Sequence, residues 1–248
     1  MKKIKKFEMT SMMLHILAMI FMLCDHLWGI IIPGNDWLTC IGRLALPIFA
    51  FLLVEGYFHT SNLKEYAKRL FIFAIISEIP FNLAMGSRIS YIVHQNILWS
   101  FLIGIGLIHL NEKAKKTGNK IIRILTAVGT VLLGFILGAV TFVDFNFAGI
   151  FTILTFYFFK ERKWWNYILQ FLILLYINTE MIGGLGYEIL IGSKTYFIHR
   201  QIFAMFALIP IWLYNGKQGH KSKRLQYSYY IFYPLHLLIL WGIKTFLI

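Results

Sequence analysis

Long apolar runs separated by short polar, basic connections dominate the chain. Such runs can be drawn at 9–32, 40–59, 69–84, 90–110, 121–141, 145–159, 164–180, 195–214 and 228–247. Most approach the ~20 residues that a helix needs to cross about 30 Å of hydrocarbon. The run at 145–159 is short for a crossing, so it is expected to be tilted, re-entrant or continued into a neighbour. The runs are uninterrupted and do not alternate, which predicts helices and argues against a transmembrane barrel. In lipid, only helices and closed barrels satisfy every backbone polar group. The prediction is an all-α, polytopic transmembrane helix bundle of about nine spans. The longest polar stretches, 111–120 and 215–227, are too short to be domains, and no internal repeat is visible. Residues 1–248 therefore read as one integral membrane domain.

Composition removes the alternatives. Hydrophobic residues make up 58%, aromatic residues 17% and charged residues 14%, against about 25% charged in an ordinary soluble domain. Mean hydropathy is +0.68. A soluble protein of this size has too little interior to hide that much apolar side chain, and a disordered chain lacks the polarity. Only Cys24 and Cys40 are cysteines, so a disulfide scaffold is excluded as well. Both fall near one end of their runs, where they either pair or remain inert thiols.

The net charge of +13 suggests a nucleic-acid partner only until the charges are placed. Nineteen of the 24 Lys and Arg residues fall in alternate connections: 2–6, 64–69, 113–123, 160–163 and 217–224. The remaining set is Arg43, Arg88, Lys194, Arg200 and Lys244. Strict alternation of this kind is the positive-inside pattern. It predicts a multi-pass protein of the cell membrane with its amino terminus in the cytoplasm and its carboxyl terminus outside. The basic loops face anionic lipid head groups, and no nucleic acid is expected. The basic start followed by an apolar core also resembles a signal peptide. Without a small-x-small cleavage site it reads as an uncleaved first span.

Ionisable residues within the spans carry the chemical interest, because each costs about 2.5–3.5 kcal/mol at mid-bilayer unless it has partners or water. Asp25, His26, Arg43, Glu78, Asn82, His94, Gln95, Asn96 and Asp144 fall toward the outer side, with Glu180, Glu188, His199 and Arg200. Glu55 and His59 lie toward the inner side, four apart on one helix face. His15 and His26 are three helical turns apart, so both can face one interior path. Each residue also has a plain reading: Asp25 and Arg43 as an ion pair pinning two spans, Glu78 and Asn82 as a helix–helix hydrogen bond. Gly134 and Gly138 read as a small-xxx-small packing contact. No nucleophile elbow, phosphate loop or zinc pair is present, and no metal is expected. A scattered set of histidine, carboxylate and arginine suits general-base activation of a hydroxyl or amine. It equally suits the relay of a proton-coupled transporter.

At Asp25-His26 and through Gly42-Arg43-Leu44-Ala45-Leu46-Pro47-Ile48-Phe49-Ala50-Phe51-Leu52-Leu53-Val54-Glu55-Gly56-Tyr57-Phe58-His59-Thr60 the sequence resembles the TraX family. The resemblance continues at Arg69, Ser77-Glu78-Ile79-Pro80-Phe81-Asn82 and Gln95-Asn96. It resumes at Asp144 with Gly149, at Asn215-Gly216 with Gly219, and at Tyr233-Pro234-Leu235-His236. These are bacterial polytopic proteins whose named member acetylates the amino terminus of conjugative pilin. The resemblance also implies kinship with membrane acyltransferases that acetylate cell-surface sugars. It implies an acetyltransferase taking acetyl-CoA as co-substrate, with a surface protein or cell-envelope glycan as acceptor. His26, late in the first span, matches the expected catalytic base. Lys68 and Arg69 are placed like the basic residues that help hold the acyl donor, with Lys217 or Lys221 as further candidates. Glu55, His59 and His236 are candidates to line the donor path. Asp25 points about 100° away from His26 around the helix, so Glu78 or Asp144 is expected to orient the base. Arg43 or Asn96 is expected to face the developing oxyanion.

Overall fold

A computed structural model of the chain describes residues 8–90, 93–220 and 222–247. Lys2, Lys3, Lys5, Lys6 and Lys221, which contribute to the charge alternation, lie outside them. The described residues are predominantly helical. Helix α1 (Ser11–Ile30) begins at Thr10, whose hydroxyl accepts from the Met13 N–H. Helix α2 (Asp36–Gly42) and α3 (Ala45–His59) divide one apolar run. The cause is Pro47, which offers no N–H and whose ring would press on the Arg43 carbonyl in a continuous helix. Helix α4 (Leu63–Gly86) is capped by Asn62, α5 (Ile97–Lys116) by Asn96 and α6 (Lys120–Val140) by Asn119. Each cap is a side-chain oxygen taking a first-turn N–H that the helix itself leaves unpaired. Then follow α7 (Asn146–Phe158), and α8 (Trp164–Tyr176) with a wider π-helical turn at Ile177–Ile182. A hairpin of β1 (Gly186–Ile191) and β2 (Lys194–His199) leads into a 3-10 segment, Arg200–Ala207, and α9 (Leu208–Trp212). Helix α10 (Lys223–Phe246) starts at Ser222, which caps the Leu225 N–H.

Helix α1 packs on α2, α3 and α10; α4 lies between α5 and α10; α5, α6 and α7 form a second layer that α3 joins to the first. Leu14, Ile48, Ala74, Ile153 and Leu237 are fully buried where these helices meet. The outward faces are apolar instead of polar. On α6, Ile121, Leu125, Val128, Leu132, Ile136 and Val140 are all exposed, and only Thr130, Gly134 and Gly138 are buried. Ser11–Ile30, Asp36–His59, Leu63–Gly86 and Lys120–Val140 are long and apolar enough to cross a membrane by length and composition. The α6 glycines do seat a packing contact. A Cβ on Gly138 would lie 2.4 Å from the Phe147 backbone of α7.

Two predicted runs change. The run at 40–59 is broken at 43–44. The run at 195–214 is helical only from Arg200, because its first residues form β2, paired antiparallel with β1 from Gly186↔His199 to Ile191↔Lys194. Lys194-Thr195-Tyr196-Phe197-Ile198 is rich in β-branched and aromatic residues, which favour strand. The Gly192-Ser193 turn lets it fold back on Gly186–Ile191. Apolar content alone does not separate such a strand from a helix.

Candidate functional site

The basic connections gather at one end of the bundle. Lys160 sits 3.3 Å over the Phe58 ring, Lys115 4.6 Å over Tyr157, and Arg162 donates to the Tyr214 carbonyl. The start of α1 is tied to the same end. Ser11 and Met12 donate their backbone N–H groups to the Lys217 and Gln218 carbonyls at 2.9 and 3.0 Å. Met9 pairs with Leu213 and Asn215. Gly219 lies against Thr10 and Met12. Asn215-Gly216 and Gly219 thus belong to a clamp on the N-terminal segment.

At the opposite end the intramembrane polar residues converge. Thr39 Oγ1 donates to Asp25 Oδ1 at 2.7 Å, and Arg43 donates to Thr39 through Nε at 3.1 Å and Nη2 at 2.7 Å. Arg43 Nη2 also lies 3.3 Å from Asp25. The α2–α3 break at 43–44, ahead of Pro47, lets Arg43 turn toward α1. Close approach of the two helices needs Gly42, where a Cβ would fall 2.4 Å from Asp25 Cβ.

His26 faces a different neighbour. Its Nδ1 lies 2.6 Å from His236 Nε2 on α10, with the rings 4.9 Å apart and nearly parallel. His236 is 5% exposed; its Nδ1 donates to the Phe232 carbonyl at 2.7 Å, and its ring stacks on Phe232. Arg43 is within electrostatic reach of His26.

A third group is built by two connections that hydrogen-bond each other. Gln95 donates to the Phe142 carbonyl and Asp144 donates back to the Gln95 carbonyl, both at 2.8 Å. This sets His94 Nε2 3.2 Å from Asp144 Oδ1, with the His94 ring edge-on to Phe81. The hydrogen bond to Asp144 raises the basicity of His94. One turn into the bundle, Glu78 accepts from the Asn96 amide and, at 3.1 Å, from Trp99 Nε1. Its second oxygen is buried with no partner among the described residues. Asp25 lies within electrostatic reach of Asp144, and the buried Tyr233 within reach of both Asp144 and Glu78.

Between the two ends lies a cavity of about 620 Å³, within the usual range for a small-molecule site. It opens among Ser11, His59, Asn62, Gly216, Gln218 and Lys223 at the basic end, and narrows inward to Met22, Phe49, Ile97 and Tyr233. Met22 is one helical turn before His26, and Tyr233 one turn before His236. Glu55, His59, Tyr66, Arg69 and Tyr230 line its lower part. His59 Nδ1 lies 3.7 Å from the Glu55 carboxylate. Arg69 contacts the Tyr230 hydroxyl, while its buried Nε has no acceptor among the described residues.

Of the residues expected on the donor path, Glu55, His59 and Arg69 line this cavity. Lys68 is exposed beside it, and His236 stands above it with His26. Of those expected at the reaction centre, Asp25, His26, Arg43, Glu78, Asn96 and Asp144 all fall at the far end. Their pairings differ from the expected ones. No carboxylate orients His26: Glu78 is held by Asn96 and Trp99, Asp144 by His94. The neighbouring ring of His236 takes that place. Asn96 commits both amide hydrogens, to Glu78 and to the Ala74 carbonyl, so neither is free for an oxyanion. Asp25 is held in the ion pair with Arg43. Thr39 and Trp99 had no sequence signal, because a hydroxyl or indole in an apolar run costs too little to stand out; Tyr233 was marked only by its place beside Pro234 and His236 in the family resemblance. Cys24 and Cys40 are free thiols. Among the described residues no cluster of metal-ligating side chains occurs.

Comparison with known proteins gives this arrangement a family. A probable fimbrial assembly protein FimC, serogroup H1, of Dichelobacter nodosus is 26% identical over 98% of this chain and 99% of its own length. No solved structure matches the chain. The family described as TraX protein matches residues 10–244. That match takes in both ends of the cavity and the histidine pair, and the chain belongs to the TraX family.

Proposed function

We propose that this protein is a membrane-embedded acetyltransferase. It moves an acetyl group from acetyl-CoA on the cytoplasmic side to an amine or hydroxyl at the outer face of the cell membrane. One observation carries the reading: a cavity that opens at the basic end stops one turn short of the His26–His236 pair at the other. In this reading the polypeptide crosses the bilayer about nine times with its amino terminus in the cytoplasm. The charge alternation, and the gathering of basic connections at one end, support that orientation.

The cavity suits the donor by its chemistry. An arginine Nε buried without an acceptor fits a phosphate oxygen, for which guanidinium has the right charge and donor geometry. Lys223 adds positive charge to the lining, the exposed Lys68 stands next to Arg69 in sequence, and Tyr66, Tyr229 and Tyr230 wall the path proposed for the thiol arm. The thioester would then reach the far end near His26. His26 takes the acceptor's proton as its nitrogen or oxygen attacks the thioester carbonyl carbon. Charge develops on the carbonyl oxygen, and Arg43, a cation within electrostatic reach of His26, opposes it. The C–S bond breaks, and the thiolate leaves with the proton from His26. Transfer through an acetylated His26 would use the same groups in two steps. The fimbrial relative favours a subunit of a surface fibre over a glycan as acceptor.

The test is acetyl transfer by the purified full chain in lipid nanodiscs with labelled acetyl-CoA. It should be joined to mass spectrometry of surface proteins and glycans from cells with and without the protein. Label on an acceptor, and loss of the same acetyl group from cells lacking the chain, are expected. Proton-driven solute flux without acetyl consumption would replace this reading with that of a transporter.

A further inference from the structure

The His26–His236 contact fixes more than distance. A carbonyl oxygen can only accept, so the 2.7 Å bond to Phe232 places a hydrogen on His236 Nδ1. A neutral imidazole with that hydrogen has a bare Nε2, and this nitrogen lies 2.6 Å from His26 Nδ1. His26 Nδ1 must then carry the hydrogen of the shared bond. Neutrality follows from surroundings: His236 is buried among Phe232, Tyr233 and Leu237, Arg43 already supplies a cation nearby, and a second charge at this depth is costly. The remaining nitrogen of His26, Nε2, has no partner among the described residues.

We propose that His236 is a positioning residue that locks His26 as its Nδ1–H tautomer and leaves Nε2 as the proton acceptor of the site. This rests on the reading of His26 as the base. The Phe232 carbonyl, His236 and His26 form a directional relay, a neutral counterpart of the carboxylate–histidine pairs that orient bases in water-filled sites. When Nε2 takes the acceptor's proton, the Nδ1–H bond to His236 becomes charge-assisted and strengthens, so the device favours the charged state in which the thioester is attacked. A neutral orienting group has one advantage over a carboxylate here. It leaves no buried anion to solvate while the site waits for substrate. It also explains why Asp25, adjacent in sequence, is spent on Thr39 and Arg43 instead.

The experiment reads the tautomer first. Nitrogen-15 spectra of histidine-labelled full chain in nanodiscs, assigned by the signals lost in His26→Gln, should show a protonated Nδ1 and a bare Nε2 for His26. A protonated Nε2 overturns the proposal, whether or not acetyl transfer has been observed. The kinetic arm compares two variants. His236→Phe keeps a flat ring on Phe232 but offers no acceptor. It should lower kcat about ten- to a hundredfold, the usual worth of a partner that orients a ring nitrogen, with KM for acetyl-CoA unchanged. His236→Gln restores an acceptor oxygen and should recover much of the rate. Equal kcat in wild type and folded His236→Phe overturns the proposal while leaving the acetyltransferase reading intact. Absence of any transfer by wild type overturns that reading and leaves the tautomer result standing.

Discussion

The Cα of Gly42 in α2 faces the Asp25 side chain of α1 so closely that a methyl group there would sit 2.4 Å from Asp25 Cβ. Gly42→Ala must therefore push the two helices apart, and the Asp25–Thr39–Arg43 cluster goes with them. Overpacking of this kind costs about 1–3 kcal/mol. We expect a lower unfolding midpoint in nanodiscs. Gly29→Ala, with nothing within 4 Å of the added methyl, should leave the midpoint in place.

Thr39 joins the carboxylate and the guanidinium, donating to one and accepting from the other. Thr39→Val keeps the shape and removes all three bonds, leaving two partly buried charged groups undersatisfied. A loss of about 1–3 kcal/mol is expected, and Thr39→Ser should restore most of it. Equal stability of the Val and Ser variants would show that the hydroxyl contributes nothing.

If the cavity holds the donor as proposed, Arg69→Gln removes the charge and an Nε that has no partner among the described residues. A charged hydrogen bond is worth about 1.5–3 kcal/mol, which is about ten- to a hundredfold in KM for acetyl-CoA. kcat should change little, because the contact is equal in ground and transition states. A fall in kcat at constant KM would move Arg69 out of donor binding.

The His94–Asp144 pair carries a pH dependence. Its hydrogen bond raises the folded-state basicity of His94 above the ordinary value of 6.5. The stabilisation is thus complete below about pH 6.5, where the histidine is charged folded or unfolded, and fades as pH rises through the raised folded value. The difference in melting midpoint between wild type and His94→Gln should shrink between about pH 6 and pH 8. A difference that is constant over that range would mean that the pair does not titrate.

At the α6–α7 crossing, Gly138→Ala brings a methyl to 2.4 Å from the Phe147 backbone, whereas Gly129→Ala meets nothing within 4 Å. Only the first should lower the stability of the folded chain, by about 1–3 kcal/mol. Thermal unfolding of both variants in the same lipid distinguishes this from a general intolerance of alanine in α6.

Much of this was legible in the chain itself. Hydropathy located α1, α6 and the short α7 to within a few residues, because burial in lipid rewards long apolar runs whatever their partners. The cost of charge in lipid picked out Asp25, His26, Arg43, Glu78 and Asp144, and all five meet at one end. Hydropathy did not reveal the α2–α3 break, although Pro47 in the middle of the run was its visible cause. It also misread 195–199, since aromatic and β-branched residues look apolar in either conformation. Pairing was the least legible. His26 and His236 are 210 residues apart, and nothing in local pattern says that α1 and α10 are neighbours. A general expectation that histidines seek carboxylates therefore chose Glu78 and Asp144, which Asn96, Trp99 and His94 already hold.

The strap between residues 9–12 and 213–219 sets an order of assembly. Helix α1 is made well before residues 213–218, yet their carbonyls receive the first amide hydrogens of its segment. The mouth of the cavity is thus sealed last. A nascent chain interrupted before residue 213 would hold α1 to α9 but lack the strap that closes this end of the cavity.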